Sequence, residues 1–553
     1  MMLSRINLVL RHALQEQNRP NFGRVQQSLV AEFIDDNAFR RLQDQFAHVS
    51  MDDRPIFLPL AVLNIMRLVL VHSQRGIPES AVDNPAVRHS IGSACLMMND
   101  LLVSEEEARR IKDGEEKVQR LELLVQLLPS FELANPPTAQ HLLFRYQVIF
   151  KTLLAQDSVR RRIARQCRGF DLDREFLRIT TIPLERWFHV VFAMYIYYLQ
   201  GGDLFHPHPE FSFIEPKRFI AESQISEYEL NAVIKTLAGG MDELRTEIAK
   251  KTMTDVRFDF VPFRSFPLLS VEKDRIACLD LALLLEKVHS GIHWLMHDSY
   301  PSSSARRDDL FKAWGILFEE YVHWLLQGME AQLPVSYLRS PQWVEGGECF
   351  DGVLLTGGVV AAFEFKGGFL ARNARYSGRT KEFVRDCDVK FAEGCRQLAS
   401  KIGSLFAKDS ARRRRVDCLP TDQTRAVVPV LVLQDHILRA PFLNWYLNIQ
   451  FREELSRYPL LPRPIIRPLS VINIHELETM VNSAEAAGFD MIYALHHRTI
   501  RDDDMLSSMQ EWLLQFPNYG RGTSRRAKSV YDELQDSMFS YLFPAVRKQN
   551  DQP

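Results

Sequence analysis

The chain has 553 residues, a formal net charge of −2 and a charged fraction of 25%. This length exceeds what one hydrophobic core usually organises, so the sequence predicts two or three domains. The composition excludes wholesale disorder and a protein coated in basic residues, although a summed charge does not exclude a local basic groove.

Cysteine usage and hydropathy bear on the compartment. The seven cysteines are widely spaced and none forms a C-x-x-C pair, which favours reduced thiols over a disulfide framework. Residues 1–15 lack the continuous apolar core of a signal peptide. The most apolar later stretch, residues 187–199, is too short to span a bilayer. We therefore expect a cytoplasmic protein that does not enter a membrane.

Helical periodicity dominates residues 1–200. Apolar helices are predicted over 60–70, 121–128 and 142–154, and the helical run ends where Gly201 and Gly202 break it. We interpret residues 1–200 as a helical domain for recognition, regulation or oligomerisation, with a second copy or another protein as its partner.

Residues 201–300 are interpreted as a mixed accessory segment. Residues 256–267 begin with a strand-like alternation, and a helix is predicted over 281–294. His289, His293 and His297 follow at intervals of four, so neighbouring pairs are able to share Zn²⁺. The first and third would lie about 12 Å apart along a helix, and a structural role is favoured.

An α/β order begins at residue 301 and defines a predicted domain over 301–547, followed by a frayed tail over 548–553. Helices are predicted over 308–326, 389–406 and 475–481, and strands over 349–355, 359–365, 427–433 and 464–474. Gly357 and Gly358 between the first two strands are a hairpin signal. Pro429 argues against complete ladder pairing of the third strand.

One strand carries the residue types of a hydrolytic site. Glu364 and Lys366 would share one face of the strand, while the flanking phenylalanines point to the other. Hairpin pairing would bring Asp351 near Glu364. Two converging carboxylates repel unless a hard cation lies between them, and Mg²⁺ takes such oxygen ligands. The cation would polarise a phosphodiester oxygen, and Lys366 would orient the attacking water or stabilise the developing negative charge.

Asp351 followed by Glu364, Phe365 and Lys366 resembles the signature of the PD-(D/E)XK, or restriction-endonuclease-like, nuclease superfamily. The order of helix, hairpin, helix and strand over residues 305–480 is similar as well. The resemblance implies a multidomain protein in which a mainly α-helical N-terminal region precedes an α/β restriction-endonuclease-like domain, with a mixed central β-sheet flanked by helices. Phe350 stands where many members have proline.

The resemblance also implies roles for individual residues. It makes Glu319, on the helix before the hairpin, a third metal ligand beside Asp351 and Glu364. Glu320 is the alternative at that position. Gln397, on the helix after the hairpin, would position water or phosphate. The activity implied is that of an Mg²⁺-dependent endonuclease that also accepts Mn²⁺, with DNA favoured as substrate, in restriction or anti-phage defence.

Basic residues concentrate near this motif. Residues 366–415 hold 14 basic and five acidic residues, which leaves nine positive charges in a chain of net charge −2. A basic stripe beside a metal site fits phosphate-backbone binding. The predicted nucleic-acid contacts are Lys401, Arg412, Arg413, Arg414 and Arg415. For Arg412–Arg415 a solvated run is the alternative. Residues 367–385 are interpreted as a mobile loop over substrate, with a solvated loop as the alternative.

The sequence also contains features that allow other functional interpretations. A second basic cluster comprises Arg160, Arg161, Arg162 and Arg165. It is interpreted as a solvated helix face, with a nucleic-acid or partner contact as the alternative. The chain has no G-x-x-x-x-G-K-[ST] motif, which excludes a P-loop ATPase. The rival function is a non-catalytic scaffold on the same fold. Convergence of Asp351, Glu364 and Lys366 discriminates between the two.

Overall fold

A computed structural model describes residues 116–134, 137–200, 211, 213–249, 258–271, 275–330, 334–435, 442–498 and 509–542, with six residues between 63 and 70. Most of residues 1–115, the predicted boundary at 201–210 and the tail at 548–553 lie outside them. No helix in these ranges combines the length and apolar character needed to cross a bilayer. None of the six cysteines in these ranges is in a disulfide bond.

Helices fill the described N-terminal part. They are α1 (Glu116–Ala134), α2 (Ala139–Arg145), α3 (Asp157–Gln166), α4 (Leu172–Thr180) and α5 (Leu184–Leu199), and a π-helical segment, Tyr146–Leu153, continues α2. The predicted helices over 121–128 and 142–154 are confirmed. In α5, the buried Trp187, Val191, Met194 and Tyr198 recur every three or four residues, which is the spacing that buries one helix face.

A small sheet follows. Its strands are β1 (Phe213–Ile214), β2 (Ala238–Gly240), β3 (Leu268–Val271) and β4 (Arg275–Cys278), in the order β1-β4-β3-β2. The helices around it are α6 (Pro216–Glu222), α7 (Glu227–Leu237), α8 (Met241–Ala249) and α9 (Val261–Ser265). Where residues 256–267 are described, the predicted strand is wrong. Pro262 stands in the first turn of α9, and proline suits a helix start and cannot donate to a ladder.

The predicted helix over 281–294 is interrupted. It consists of α10 (Leu281–Leu285), a 3₁₀ turn (Glu286–Val288) and α11 (Ser290–Ser299). His289 lies at the break with φ −138° and ψ −96°, so the three histidines do not share one helix face. His293 is fully buried beside the rings of Trp314 and Phe369. Burial lowers the pKa of His293 to about 3, which supports the structural role favoured from the sequence.

The central sheet begins after the long helix α12 (Ala305–Glu330). Its strands are β5 (Ser336–Arg339), β6 (Gly352–Thr356), β7 (Val359–Lys366), β8 (Ala426–Leu433), β9 (Ile465–Ile466) and β10 (Ser470–Asn473). The further helices are α13 (Arg372–Tyr376), α14 (Thr380–Cys387), α15 (Glu393–Leu405), α16 (Leu443–Leu455), α17 (Ile474–Ala487), α18 (Met491–Arg498), α19 (Met509–Leu513) and α20 (Arg525–Leu542). The predicted order of helix, hairpin, helix and strand is confirmed.

Strand directions make the sheet mixed. The order is β10-β8-β7-β6-β5, with β9 beside the start of β8. β5, β6 and β7 pair antiparallel, whereas β7, β8 and β10 pair parallel. Gly357 and Gly358 have φ values of 50° and 83°, and positive φ at both positions is what a two-residue hairpin turn requires.

Pro429 is accommodated within the fully buried β8 by a gap on one side. β9 pairs with β8 as far as Val427, and β10 resumes the pairing at Val430. Residues 428 and 429 therefore face no paired strand there, and the missing proline N–H leaves no acceptor of the sheet unsatisfied.

Alternation along β7 gives the sheet two different faces. Phe363 and Phe365 belong to a core that also contains side chains of α12, α5 and α17. Ala362 belongs to a second core with side chains of α15 and α16. Because side chains alternate along a strand, Glu364 and Lys366 continue the second face and point towards α15. The N-terminal helices thus share a core with the sheet.

A buried ionic network fixes the segment after β7. Arg375 is 3% exposed; it donates to Glu132 at 2.8 Å and to Asp435. Arg264 also donates to Glu132, at 2.9 Å. The backbone amide of Leu370 donates to Asp435 at 3.0 Å. The predicted loop over 367–385 is therefore wrong: the segment contains α13 and α14 and is held against α1.

Candidate active site

The hairpin of β6 and β7 brings Asp351 beside Glu364. The Asp351 amide donates to the Phe363 carbonyl at 3.1 Å, and its carboxylate Oδ2 accepts from the Phe365 amide at 2.6 Å. These bonds flank Glu364 in the sequence and tie the Asp351 side chain to β7. The placement follows from the antiparallel register, in which Gly352 lies opposite Phe363.

Two lysines and a glutamine surround the Glu364 carboxylate, which is 3% exposed. The Lys366 ammonium donates to Glu364 Oε1 at 2.9 Å and to Gln397 Oε1 at 2.7 Å. The Lys401 ammonium donates to Glu364 Oε2 at 2.7 Å and lies 3.9 Å from Asp351 Oδ1. Two carboxyl groups and two lysine amino groups thus form one cluster.

Helix α15 supplies the second half of the cluster. Gln397 and Lys401 lie four residues apart, which places both on one helix face. Gly394, one turn earlier, allows the helix to approach β7. A Cβ at this position would lie 2.7 Å from Lys366 Cε and 2.9 Å from Leu431 Cδ1. The close approach of helix and strand is what lets Lys366 reach Gln397.

Opposing effects set the protonation of the cluster. Burial and the negative charge of Glu364 raise the pKa of Asp351 well above its ordinary value, although Lys401 opposes the rise. A contact with the Glu348 carboxyl raises it further. Burial tends to lower the pKa of Lys401, but Glu364 and Asp351 outweigh it and the pKa is raised. The Asp351 carboxylate therefore lies where additional positive charge is favourable.

The donor set fits a hard divalent cation. Mg²⁺ is usually held by one or two carboxylates together with water and substrate phosphate oxygens. Asp351 and Glu364 provide two carboxylates, and both already face one positive charge, the Lys401 ammonium. A cation between them would replace Lys401 as their shared partner or displace it outward.

Glu319 lies on the other side of the sheet. It is part of α12, which packs on the face that carries Phe365. Its carboxylate accepts from Arg162 at 2.6 Å and lies 3.5 Å from the ring nitrogen of His323. Burial works against ionisation, but hydrogen bonds from His323 and Arg162 prevail and hold the pKa of Glu319 at about 2. Its neighbour Glu320 accepts from Arg162 and from Arg339, each at 2.7 Å.

The predicted nucleic-acid contacts separate into two groups. Lys401 lies inside the cluster of charged side chains. The four arginines lie in the turn after α15: Arg412 is beside Asp409, Arg413 donates to the Ala407 carbonyl, and Arg414 stacks on Trp343. Part of the positive charge of residues 366–415 is therefore already paired inside the fold. Arg375 is buried, and Lys366 and Lys401 both contact Glu364.

A different group of metal-ligand residues lies between α2 and α17. Within the described part of the chain, one set of three His, Cys, Asp or Glu side chains brings its ligand atoms within 4.8 Å of one another, namely His141, His475 and Glu478. Arg145 is also there, 2.5 Å from Glu478 and 2.9 Å from His475 Nδ1. A buried guanidinium at this place opposes a second cation, so these residues form an ion-pair network.

Comparisons with protein-family models, with curated proteins and with solved structures find no match for this chain. The superfamily resemblance therefore depends on the residues and on the geometry described above.

Three charged residues that contact the predicted site residues were not predicted from the sequence. Glu348 contacts the Asp351 carboxyl, and its position three residues before Asp351 was the available signal. Arg339 ends β5 opposite Gly352, but no sequence pattern indicated that strand. Arg162 reaches Glu319 across 157 positions of sequence, and such a contact depends on how α3 packs against α12.

Proposed function

We propose that this chain is a metal-dependent nuclease that hydrolyses phosphodiester bonds of nucleic acid, with DNA favoured. The observation that carries the proposal is the convergence of Asp351, Glu364 and Lys366 at one end of the central sheet, with Gln397 from α15. Side chains that pointed apart would have argued against the catalytic interpretation.

Each residue has a role in this proposal. Asp351 and Glu364 would hold Mg²⁺ or Mn²⁺, which supplies Lewis-acid polarisation of a phosphodiester oxygen when bound. Lys366 would hold the attacking water or stabilise the negative charge that develops on phosphate. Gln397 orients the Lys366 ammonium through its 2.7 Å hydrogen bond. The Glu319 carboxylate lies on the other side of the sheet and contacts Arg162 and His323, so the proposal does not include it among the metal ligands.

The topology gives further support. A helix precedes three antiparallel strands, a helix crosses to a parallel strand, and the motif residues lie at the end of the third strand. This is the arrangement that the PD-(D/E)XK resemblance implies. A defence role, in restriction or against phage, is proposed from the same resemblance.

The test is hydrolysis of defined substrates by the full chain. Single- and double-stranded DNA and RNA are incubated with Mg²⁺, Mn²⁺ or EDTA. Wild type is compared with Asp351→Asn, with Lys366→Met and with Glu453→Gln, which removes an exposed carboxylate on α16. We expect metal-dependent cleavage by wild type and by Glu453→Gln, and a loss of at least about 100-fold in the other two.

The outcomes separate the two functions. Equal cleavage by wild type and both site variants would place the chemistry elsewhere. Binding of nucleic acid without cleavage under any of these conditions would favour the non-catalytic scaffold, in which Lys366 and Lys401 neutralise the carboxylates permanently.

A further inference from the structure

An arginine-lined groove lies between α3, α12 and the end of β5. It has a volume of about 750 Å³, and its charged lining consists of Arg161, Arg162, Arg165, Arg339 and Glu320. Four guanidinium groups face three carboxylates, those of Glu320, Glu319 and Asp157, and leave one positive charge. The guanidinium groups line the groove, whereas Glu320 is the one carboxylate among its lining residues, so the groove surface itself favours anions.

Two of these arginines are held in place by acidic side chains of α12. Arg162 donates to Glu319 at 2.6 Å and to Glu320 at 2.7 Å. Arg339 donates to both oxygens of Glu320, each at 2.7 Å. These bonds fix the two guanidinium groups before any ligand arrives, so a ligand has little side-chain freedom to remove.

The other two arginines are available to a ligand. Arg161 has an ion pair with Asp157 in which both side chains are 81% exposed, and such a pair holds its charge weakly. Arg165 is exposed, and within the described residues it has no carboxylate partner. The groove therefore combines two guanidinium groups that are held in place with two that are exposed.

The groove lies on the α12 face of the sheet and the candidate active site on the α15 face, and the strand register places both at the same end of the sheet. Arg339 pairs with Gly352, the residue after Asp351, and Gly352 pairs with Phe363, the residue before Glu364. β5 and β7 are separated by one strand, so their backbones lie about 10 Å apart. Along the axis of a duplex, where each base pair rises by about 3.4 Å, this distance corresponds to about three base pairs.

We propose that this groove binds the phosphate backbone of the nucleic acid whose scissile phosphate lies at Asp351 and Glu364; the inference rests on the proposed nuclease function. Arginine side chains donate bidentate hydrogen bonds to phosphate oxygens. Backbone contacts carry no sequence information, so the groove adds affinity without sequence preference. Glu319 and Glu320 act as positioning residues for Arg162 and Arg339.

The test measures binding separately from cleavage. Fluorescence anisotropy with a labelled 30-base-pair DNA and the matching single strand is recorded in EDTA over a range of salt concentrations. The variant is Arg161→Glu with Arg165→Glu. The control is Arg178→Glu with Arg218→Glu, which reverses two exposed arginines elsewhere. Thermal melting is recorded for each protein.

We expect the groove variant to bind DNA at least about tenfold more weakly than wild type, with a salt slope smaller by about 2 because two phosphate contacts are lost. The control should change affinity less than about threefold. Unchanged affinity and slope in the groove variant would overturn the inference. Competition by ATP or inorganic pyrophosphate, with no binding of either DNA, would instead identify a free phosphate compound and would equally overturn it.

The proposed function is judged independently. Groove-dependent binding by a protein that cleaves nothing would keep the groove and remove the nuclease activity. Cleavage by a groove variant that still binds DNA with wild-type affinity would keep the nuclease activity and remove the groove.

Discussion

The Lys401 ammonium lies where a divalent cation would be expected. It is 2.7 Å from one oxygen of Glu364 and 3.9 Å from one of Asp351. A metal ion that binds these two carboxylates must therefore compete with Lys401. We predict that Lys401→Gln tightens the binding of Mg²⁺ and of Ca²⁺.

The size of the expected change in metal affinity follows from these distances. At an effective dielectric constant of about 20, unit charges 3.9 Å apart attract by about 4 kcal/mol, and those 2.7 Å apart by about 6 kcal/mol. The net contribution is much smaller, because the ammonium is partly desolvated and side-chain entropy opposes the contact. A net value of about 2 kcal/mol corresponds to a dissociation constant roughly 30-fold lower in the variant.

The assay is isothermal titration calorimetry of the metal-free full chain with CaCl₂ and with MgCl₂. Wild type, Lys401→Gln and Lys408→Gln are compared, and Lys408 serves as control because it is exposed just after α15. The control should match wild type. Equal or weaker metal binding by Lys401→Gln would refute the competition, and absence of binding by all three proteins would count against the proposed metal site itself.

Three further predictions concern stability and positioning. Asp351→Asn should raise the melting temperature of the metal-free protein at neutral pH, because the pKa of Asp351 is raised in the fold; this advantage should shrink as the pH falls below the raised pKa and vanish near the ordinary aspartate pKa of about 4, which melting curves between about pH 3 and pH 8 would reveal. Gly394→Ala places a Cβ 2.7 Å from Lys366 Cε, and a displacement of about 1 Å should lower the cleavage rate by up to about 100-fold, whereas Gly240→Ala, which has open space, should leave the rate unchanged. Arg375→Met removes the buried guanidinium that Glu132 and Asp435 share and should lower the free energy of unfolding in urea by about 3–5 kcal/mol, whereas Arg385→Met, at a side chain 67% exposed, should change it by less than about 0.5 kcal/mol.

The sequence predicted those parts of the site that depend on local pairing. The alternation of residues along β7 placed Glu364 and Lys366 on one face, and two glycines located the turn. Together they fixed the neighbour of Asp351, because a hairpin allows few registers once its turn is known.

Features that depend on packing at long range were not predictable. Lys401 was assigned to nucleic-acid binding, whereas its ion pair with Glu364 depends on the close approach of α15 to β7, which Gly394 permits. The break at His289 and the helical turn at Pro262 occur where apolar periodicity continues, so periodicity alone did not indicate them. The partners of Arg375 come from three separate parts of the chain, which no local pattern connects.

The two charged regions at this end of the sheet are expected to depend on each other. In the cluster around Glu364 each lysine contacts a carboxylate, whereas the groove beside Arg339 is lined by four arginines and one glutamate. Nucleic acid drawn to the groove would bring phosphate oxygens to the carboxylates and supply ligands that Mg²⁺ lacks there. Binding of the backbone would therefore strengthen binding of the cation, and by linkage the cation would strengthen binding of the backbone by the same factor. Because Arg162 connects α3 to Glu319, this coupling requires the helical N-terminal region as well as the sheet.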